Sequence, residues 1–157
     1  MKTTDYDLLD SQLRALLDDE PDALAAASNF VGLLYNAMDN INWLGIYVLR
    51  GNELVLGPFQ GKPACVHLAL DEGVCAAATA TRQTQRVADV HAFPGHIACD
   101  PGSRSELVVP LIAHDELIGV LDIDSPTTGR FSEADQAGVE ELCESFCTLQ
   151  EQRKNFI

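Results

Sequence analysis

Apolar residues recur at helical spacing over residues 5–19, where Tyr6, Leu8, Leu9, Leu13, Leu16 and Leu17 are interleaved with acids until Pro21 breaks the run. Residues 22–37 repeat the pattern with Leu24, Ala25, Phe30, Leu33 and Leu34 on one side, which predicts a second helix. The texture changes at Asn40. Trp43 to Leu49 reads as a strand, Gly51-Asn52 as a turn and Leu54 to Leu56 as the returning strand. Gly57-Pro58 and Gly61-Lys62-Pro63 punctuate the next stretch of chain. Val66 to Leu70 predicts another short strand, the alanine-rich residues 74–81 a short helix opening at Gly73, and Gln85 to Val90 a further strand.

Residues 91–105 hold Pro94, Gly95, Pro101 and Gly102 and show no period; an irregular segment of that length in a small domain is more often a functional loop than an accident. Glu106 to Ile112 and Leu117 to Ile123 form the clearest hairpin, turning at His114-Asp115. Ser132 with Asp135 resembles an N-cap pair, opening a last helix with Val139, Leu142, Cys143, Phe146 and Leu149 inward. The order predicts one α+β domain over 1–157: N-terminal helices (1–39), a mostly antiparallel sheet with loops (40–131) and a closing helix (132–151).

Composition narrows the class. With 46% apolar and 22% charged residues in 157, the chain can bury a real core. A net charge of −14, without a basic stripe, argues against nucleic acid as a partner. No run of residues approaches a membrane span, and the N-terminus lacks the basic and apolar regions of a signal peptide, so the expected location is the cytoplasm. Five cysteines without an export signal fit reduced thiols with a transient disulfide better than a disulfide scaffold.

Cys143 and Cys147, four apart on the closing helix, read as core residues. Cys65, Cys75 and Cys99 differ, each lying in a loop-like setting beside Gly, Pro, His or Asp. Such a trio suggests thiol chemistry, one thiol to attack and another to resolve the product. Zinc competes, because His67, His91 and His96 are near in sequence. Yet structural zinc ligands usually come in pairs about two to four residues apart, and Cys65/His67 is the single close pair. No metal is expected on this pattern; structural burial of the thiols stays open.

Asp122 and Asp124 interrupt an apolar strand and share one face of it. If the hairpin turns through three residues, His114 to Glu116, Glu106 pairs across from Asp124 and three carboxylates share one patch. Crowded acids hold protons near neutrality and can deliver them. A solvent-facing edge is the plainer alternative. Trp43 and Tyr47, on one strand face, are either core or the apolar wall of a small pocket. Gly73, opening the alanine-rich helix, frees backbone N–H groups that suit a small carboxylate, though turn geometry explains it equally well.

Together these segments resemble the free methionine-(R)-sulfoxide reductases, single GAF-domain enzymes. The resemblance is carried by Ile41-Asn-Trp-Leu-Gly-Ile-Tyr47, Leu54-Val-Leu-Gly-Pro-Phe-Gln-Gly61, Ala64-Cys-Val66, Gly73-Val-Cys75 and Asp89-Val-His91. It continues through Gly95-His-Ile-Ala-Cys-Asp100, Ser105-Glu-Leu-Val-Val-Pro110, Ile118-Gly-Val-Leu-Asp-Ile-Asp-Ser125 and Gly129-Arg-Phe131. Other GAF domains share the strand pattern but not the cysteine trio. The resemblance implies a GAF-like fold and reduction of free methionine-(R)-sulfoxide. Cys99 would be the nucleophile, Cys65 the main resolving thiol and Cys75 a further redox-active partner. Glu106, Asp122 and Asp124 would hold the substrate ammonium and the sulfoxide oxygen, and Trp43 and Tyr47 would wall the methylthio end.

The resemblance further implies no bound cofactor, with reducing equivalents coming from thioredoxin (NADPH through thioredoxin reductase), and a homodimer, for which the apolar N-terminal helices offer an interface, although helix packing within one subunit explains them too. Ala76 stands where the family pattern has Gly, and Pro101-Gly102 with Arg104 replaces small and amide residues, which touches loop geometry more than reaction class. The rival reading is a GAF sensor that binds a small ligand without chemistry; a chain ending soon after its closing helix leaves such a sensor nothing to signal to.

Overall fold

The computed structural model describes residues 1–96 and 99–153. Two helices, α1 (Tyr6–Leu17) and α2 (Ala23–Ala37), are each opened by an aspartate: Asp5 accepts from Leu8 N and Asp22 from Ala25 N. Then come β1 (Trp43–Arg50), β2 (Glu53–Gly61), β3 (His67–Ala69), α3 (Val74–Thr81), β4 (Gln85–Val87), a single 3-10 turn (Val90–Ala92), β5 (Ser105–Ala113), β6 (Glu116–Ser125) and α4 (Glu133–Gln150). The six strands form one antiparallel sheet in the order β3-β2-β1-β6-β5-β4.

Strand alternation divides the interior in two. Leu44, Ile46 and Val48 of β1, Leu107, Val109 and Leu111 of β5, and Leu121 and Ile123 of β6 meet α1, α2 and α4 in the main core, where Phe30 stacks on Phe146 at 4.4 Å. Their neighbours Trp43, Tyr47, Val108 and Val120 face the other way, toward α3 and the loops. The carboxylates ride on this second face, on strands in the interior of the sheet. A solvent-facing edge is therefore ruled out.

Several expectations shift. Leu8 and Leu16 of α1 and Leu24 of α2 are exposed; α2 buries Ala26, Ala27, Phe30, Val31 and Leu34, because small residues let it lie close to the sheet. The return strand β2 runs on through Gly57-Pro58 to Gly61. Those two residues together oppose Ile46, a bulge where proline's missing N–H costs no ladder bond. The predicted Gln85–Val90 strand ends at Val87, and Asp89 caps the 3-10 turn by accepting from His91 N.

The hairpin reaches the expected register by another route. His114 and Asp115, both at positive φ (52° and 60°), make a two-residue turn rather than a three-residue one. By itself that turn would set Glu106 opposite Ile123. An extra residue, Ile118, bulges between the Leu111–Gly119 and Ile112–Leu117 pairs and restores Glu106 to Asp124. Ser132 and Asp135 form a full capping box, and Cys143 and Cys147 are buried free thiols of the core. Arg130, buried at the entrance to α4, ties it to the N-terminus: its Nη1 donates to Asp135 (3.0 Å), which also accepts from the Tyr6 hydroxyl (2.7 Å).

Candidate active site

β1, β5, β6, α3 and the segments before β3 and β5 enclose a cleft with about 660 Å³ of space, its mouth included. Trp43, Tyr47, Cys75, Cys99, Glu106, Asp122 and Asp124 all line it. Cys65 joins them through a disulfide to Cys99, Cα atoms 5.7 Å apart. Every residue assigned a site role in the sequence is thus brought to one place. Ile97 and Ala98, inside the Gly95–Asp100 motif, lie outside the described residues.

The aromatic wall starts from β1. Trp43 stacks at 5.8 Å on Tyr47, two same-face positions further along the strand, and at 5.5 Å on Phe59 of β2. Gly45 between them makes room, since a Cβ there would run into the Trp43 ring and Phe59. Each polar tip is held by the loop after β2: Trp43 Nε1 donates to the Lys62 carbonyl at 3.1 Å, and the Tyr47 hydroxyl to the Cys65 carbonyl at 2.8 Å. Tyr47 therefore positions a disulfide cysteine as well as walling the pocket.

The three cysteines are not equivalent. Cys65 and Cys99 lie in irregular segments, as expected, and Cys65 is half-buried. Cys75 is not in a loop: it sits in the first turn of α3, buried, behind Gly73 at φ 96°. Burial, with the nearby Asp122 charge, pushes its thiol well above the ordinary range. Of the three histidines near the thiols in sequence, His67 turns to Glu53 and His91 to Asp89, both at the surface. His96 alone of these enters the cleft, its Nδ1 3.9 Å from Glu106 Oε2.

Two of the three acids are buried, and Asp124 is half-buried. Glu106 and Asp122 are 5% and 6% exposed, so neither charge is solvated. Burial first, then the neighbouring Asp122 and Asp124 charges, lifts Glu106 well above the usual carboxylate range. Asp124 is raised likewise by burial and by Asp122, and burial pushes Asp122 up to about 6. The cluster therefore keeps protons near neutrality and titrates as a coupled unit rather than as three independent acids. Asp122 Oδ1 is buried and accepts no hydrogen bond from the described residues.

Sequence reasoning missed a clamp on the Cys99 segment. Asn42 Nδ2 donates to Asp100 Oδ2 (3.1 Å) and Ser103 Oγ (3.2 Å), and its backbone N–H donates to the Asp124 carbonyl (2.9 Å). Asp100 Oδ1 accepts from Gly102 N at 2.8 Å, so Pro101-Gly102 forms a compact turn after Cys99. Arg104 is exposed and donates its backbone N–H to Ser125; Ala76 is buried on the cleft wall. The Asn-Trp of the β1 motif carried the one available hint of the clamp.

Comparison with known proteins agrees with this geometry. The GAF domain family model matches residues 10–148. The free methionine-R-sulfoxide reductase of Escherichia coli is 49% identical over 141 residues, 90% of this chain and 86% of its own. The fRMsr of Staphylococcus aureus in complex with substrate superposes with a TM-score of 0.90 at 48% identity, over 95% of this chain and 97% of that one. The Neisseria meningitidis free methionine-R-sulfoxide reductase, also with its substrate, gives 0.90 at 38% identity over 96% and 93%. The chain belongs to the free methionine-R-sulfoxide reductases, enzymes built on a GAF domain.

Proposed function

We propose that this protein reduces free L-methionine-(R)-sulfoxide to methionine. The observation that carries the reading is the opening of a disulfide cysteine, Cys99, and a trio of acids, two of them buried, into one cleft with an aromatic wall. In the reduced enzyme the Cys99 thiolate attacks the sulfoxide sulfur while a proton is delivered to the oxygen. The products are methionine and a Cys99 sulfenic acid. Cys65 then attacks that sulfur; the S–S bond forms and the oxygen leaves as water. Thioredoxin reduces the disulfide, with NADPH as the ultimate donor through thioredoxin reductase.

Glu106 is the proton donor in this scheme, because its burial and its neighbours' charges hold it protonated. Asp122, whose buried Oδ1 accepts from none of the described residues, receives the substrate ammonium, with Asp124 beside it. A peptide-bound methionine offers no ammonium at that point, which restricts the substrate to the free amino acid. Trp43 and Tyr47 wall the methylthio end, and Cys75 behind the cleft is a secondary thiol. Among the described residues no helix is long and apolar enough to cross a membrane; a cytoplasmic enzyme acting in repair of oxidised methionine fits these requirements.

The test is NADPH oxidation in a coupled thioredoxin/thioredoxin reductase assay with the free R sulfoxide, its S epimer and the N-acetylated R form. Turnover of the free R form alone is expected. Equal turnover of the acetylated form removes the ammonium argument. No turnover of any, with the reductase control intact, removes the activity and leaves a ligand-binding GAF module.

A further inference from the structure

One side-chain cluster in the cleft combines groups that a proton-transfer site does not require to meet. Cys75 Sγ and carboxylate oxygens of Glu106 and Asp122 all lie within 4.8 Å of one another, on α3, β5 and β6 respectively. All three side chains are buried. Asp122 Oδ1, on a residue that is 6% exposed, has no hydrogen-bond partner among the described residues although Asp122 lines the cavity. That acceptor stands beside Glu106 and the Cys75 thiol, both hydrogen-bonded to Asp122, and a cation that displaces their protons would engage all three groups at once.

We propose that this trio binds one thiophilic divalent cation, of the Zn2+ or Cd2+ class, through the Cys75 thiolate and the Glu106 and Asp122 carboxylates. The separations suit it. An ion about 2.3 Å from sulfur and about 2.0–2.2 Å from oxygen spans ligand atoms that stand this close after small side-chain rotations. The thiolate ligand selects soft ions over Mg2+ or Ca2+. On binding, the thiol proton leaves to solvent and the S–M bond replaces the S–H bond, with no change of oxidation state. His96, which lines the cleft with Nδ1 3.9 Å from Glu106 Oε2, can take a fourth position. The three scaffolding elements are fixed by the sheet and α3, so the ligand set stands preformed. The sequence pattern predicts no metal, and this ligand set shares no residue with the one close Cys/His pair, Cys65/His67. Binding the ion involves no step of the sulfoxide reaction, and the ion occupies the space of the amino acid's ammonium.

The test uses the disulfide form, in which Cys65 and Cys99 are bonded and Cys75 is the free thiol of the cleft. Cd2+ titration followed by thiolate-to-metal charge-transfer absorbance should saturate at one equivalent and be unaffected by a large excess of Mg2+. Cys75→Ser should abolish the band, and Asp122→Asn should weaken binding about tenfold or more while preserving the circular dichroism spectrum. Zinc X-ray absorption of the unmutated protein should show one sulfur with oxygen and nitrogen scatterers. Two sulfurs would place the ion at Cys143/Cys147 instead and overturn the proposal. So would a band that survives Cys75→Ser, an unchanged affinity in Asp122→Asn, or no binding at all. None of these readouts requires turnover, so the metal site and the proposed activity fail separately. On the reading that the substrate ammonium sits at Asp122, saturating methionine should raise the apparent Kd for Cd2+ severalfold; an unchanged Kd, with methionine binding shown by calorimetry, would overturn the shared location.

Discussion

Glu106 faces Asp124 across the β5–β6 ladder because one extra residue, Ile118, bulges out of β6. A register one residue away would send the Glu106 side chain to the same partner row as Ile123, on the helix-packed face. The acid trio is thus a consequence of hairpin geometry as much as of residue type. The bulge lies beside Gly119, which packs against β1: a Cβ there would meet the Tyr47 carbonyl and the Val48 backbone.

Gly119→Ala should therefore destabilise the protein by ~2 kcal/mol, since backbone rather than a flexible side chain must move. Urea unfolding checks this. A midpoint within error of the unmutated protein would mean that the two strands part at no cost.

The acid cluster gives a pH dependence whose sign is fixed. Asp122 has its folded-state pKa raised to about 6 from 3.8, so its contribution to stability is fully present below the unfolded value and is lost as pH rises through the folded one. Glu106 and Asp124 are raised too and act in the same direction. Asp122→Asn should accordingly be more stable than the unmutated protein above pH ~6.5, by about 1–3 kcal/mol, with the advantage vanishing toward pH ~4. Thermal unfolding across that range, on both proteins, measures it. An advantage that grows on acidification would contradict the burial argument.

Much of this organisation could be read in the residues. The apolar run Trp43–Leu49 marked β1, with Trp43 and Tyr47 on one face of it, and Ser132 with Asp135 marked the start of α4 as a capping box does. Asp122 and Asp124 betrayed themselves by interrupting an apolar strand. What stayed hidden depends on contacts distant in sequence. Pro58 reads as a strand breaker until Ile46 opposite is seen to leave it no ladder bond to make. The buried face of α2 is rotated onto Ala26 and Ala27 by the close approach of the sheet, which helical periodicity cannot supply. The roles of Asn42 and His96, and the burial of Cys75 within α3, each required knowing which segments fold back on the cleft.

Asp135 holds the buried Arg130, caps α4 and accepts from Tyr6 on α1. Asp135→Ala leaves a guanidinium buried without its carboxylate and removes the capping box at once, and should cost ~3 kcal/mol or more. Chemical denaturation would show it. A loss below ~1 kcal/mol would mean that solvent replaces the carboxylate readily, contrary to the burial of Arg130.

The Tyr47 hydroxyl donates to the Cys65 carbonyl at 2.8 Å, which links the pocket wall to the proposed resolving thiol. Tyr47→Phe keeps the ring and removes the bond, at a net cost of ~1 kcal/mol. The disulfide should form about fivefold more slowly after sulfoxide addition, while the first methionine is released at an unaltered rate. Rapid-quench measurement separates the two steps. Equal slowing of both would assign the hydroxyl to substrate binding instead.

The two remaining thiols should part company in the same assay. Cys65 is already bonded to Cys99, whereas Cys75 is buried in α3 with its thiol pushed well above the ordinary range, so little of it is thiolate at neutral pH. Cys65→Ser should release one methionine per enzyme and then stall, with the Cys99 sulfenic acid accumulating and open to a dimedone probe. Thioredoxin-driven turnover should fall at least tenfold. Cys75→Ser should retain more of that turnover and show little sulfenic acid, because the partner of Cys99 is still present. If the Cys75 variant stalls and the Cys65 variant does not, the Cys65–Cys99 disulfide would be a resting form, and resolution would run through the thiol of α3.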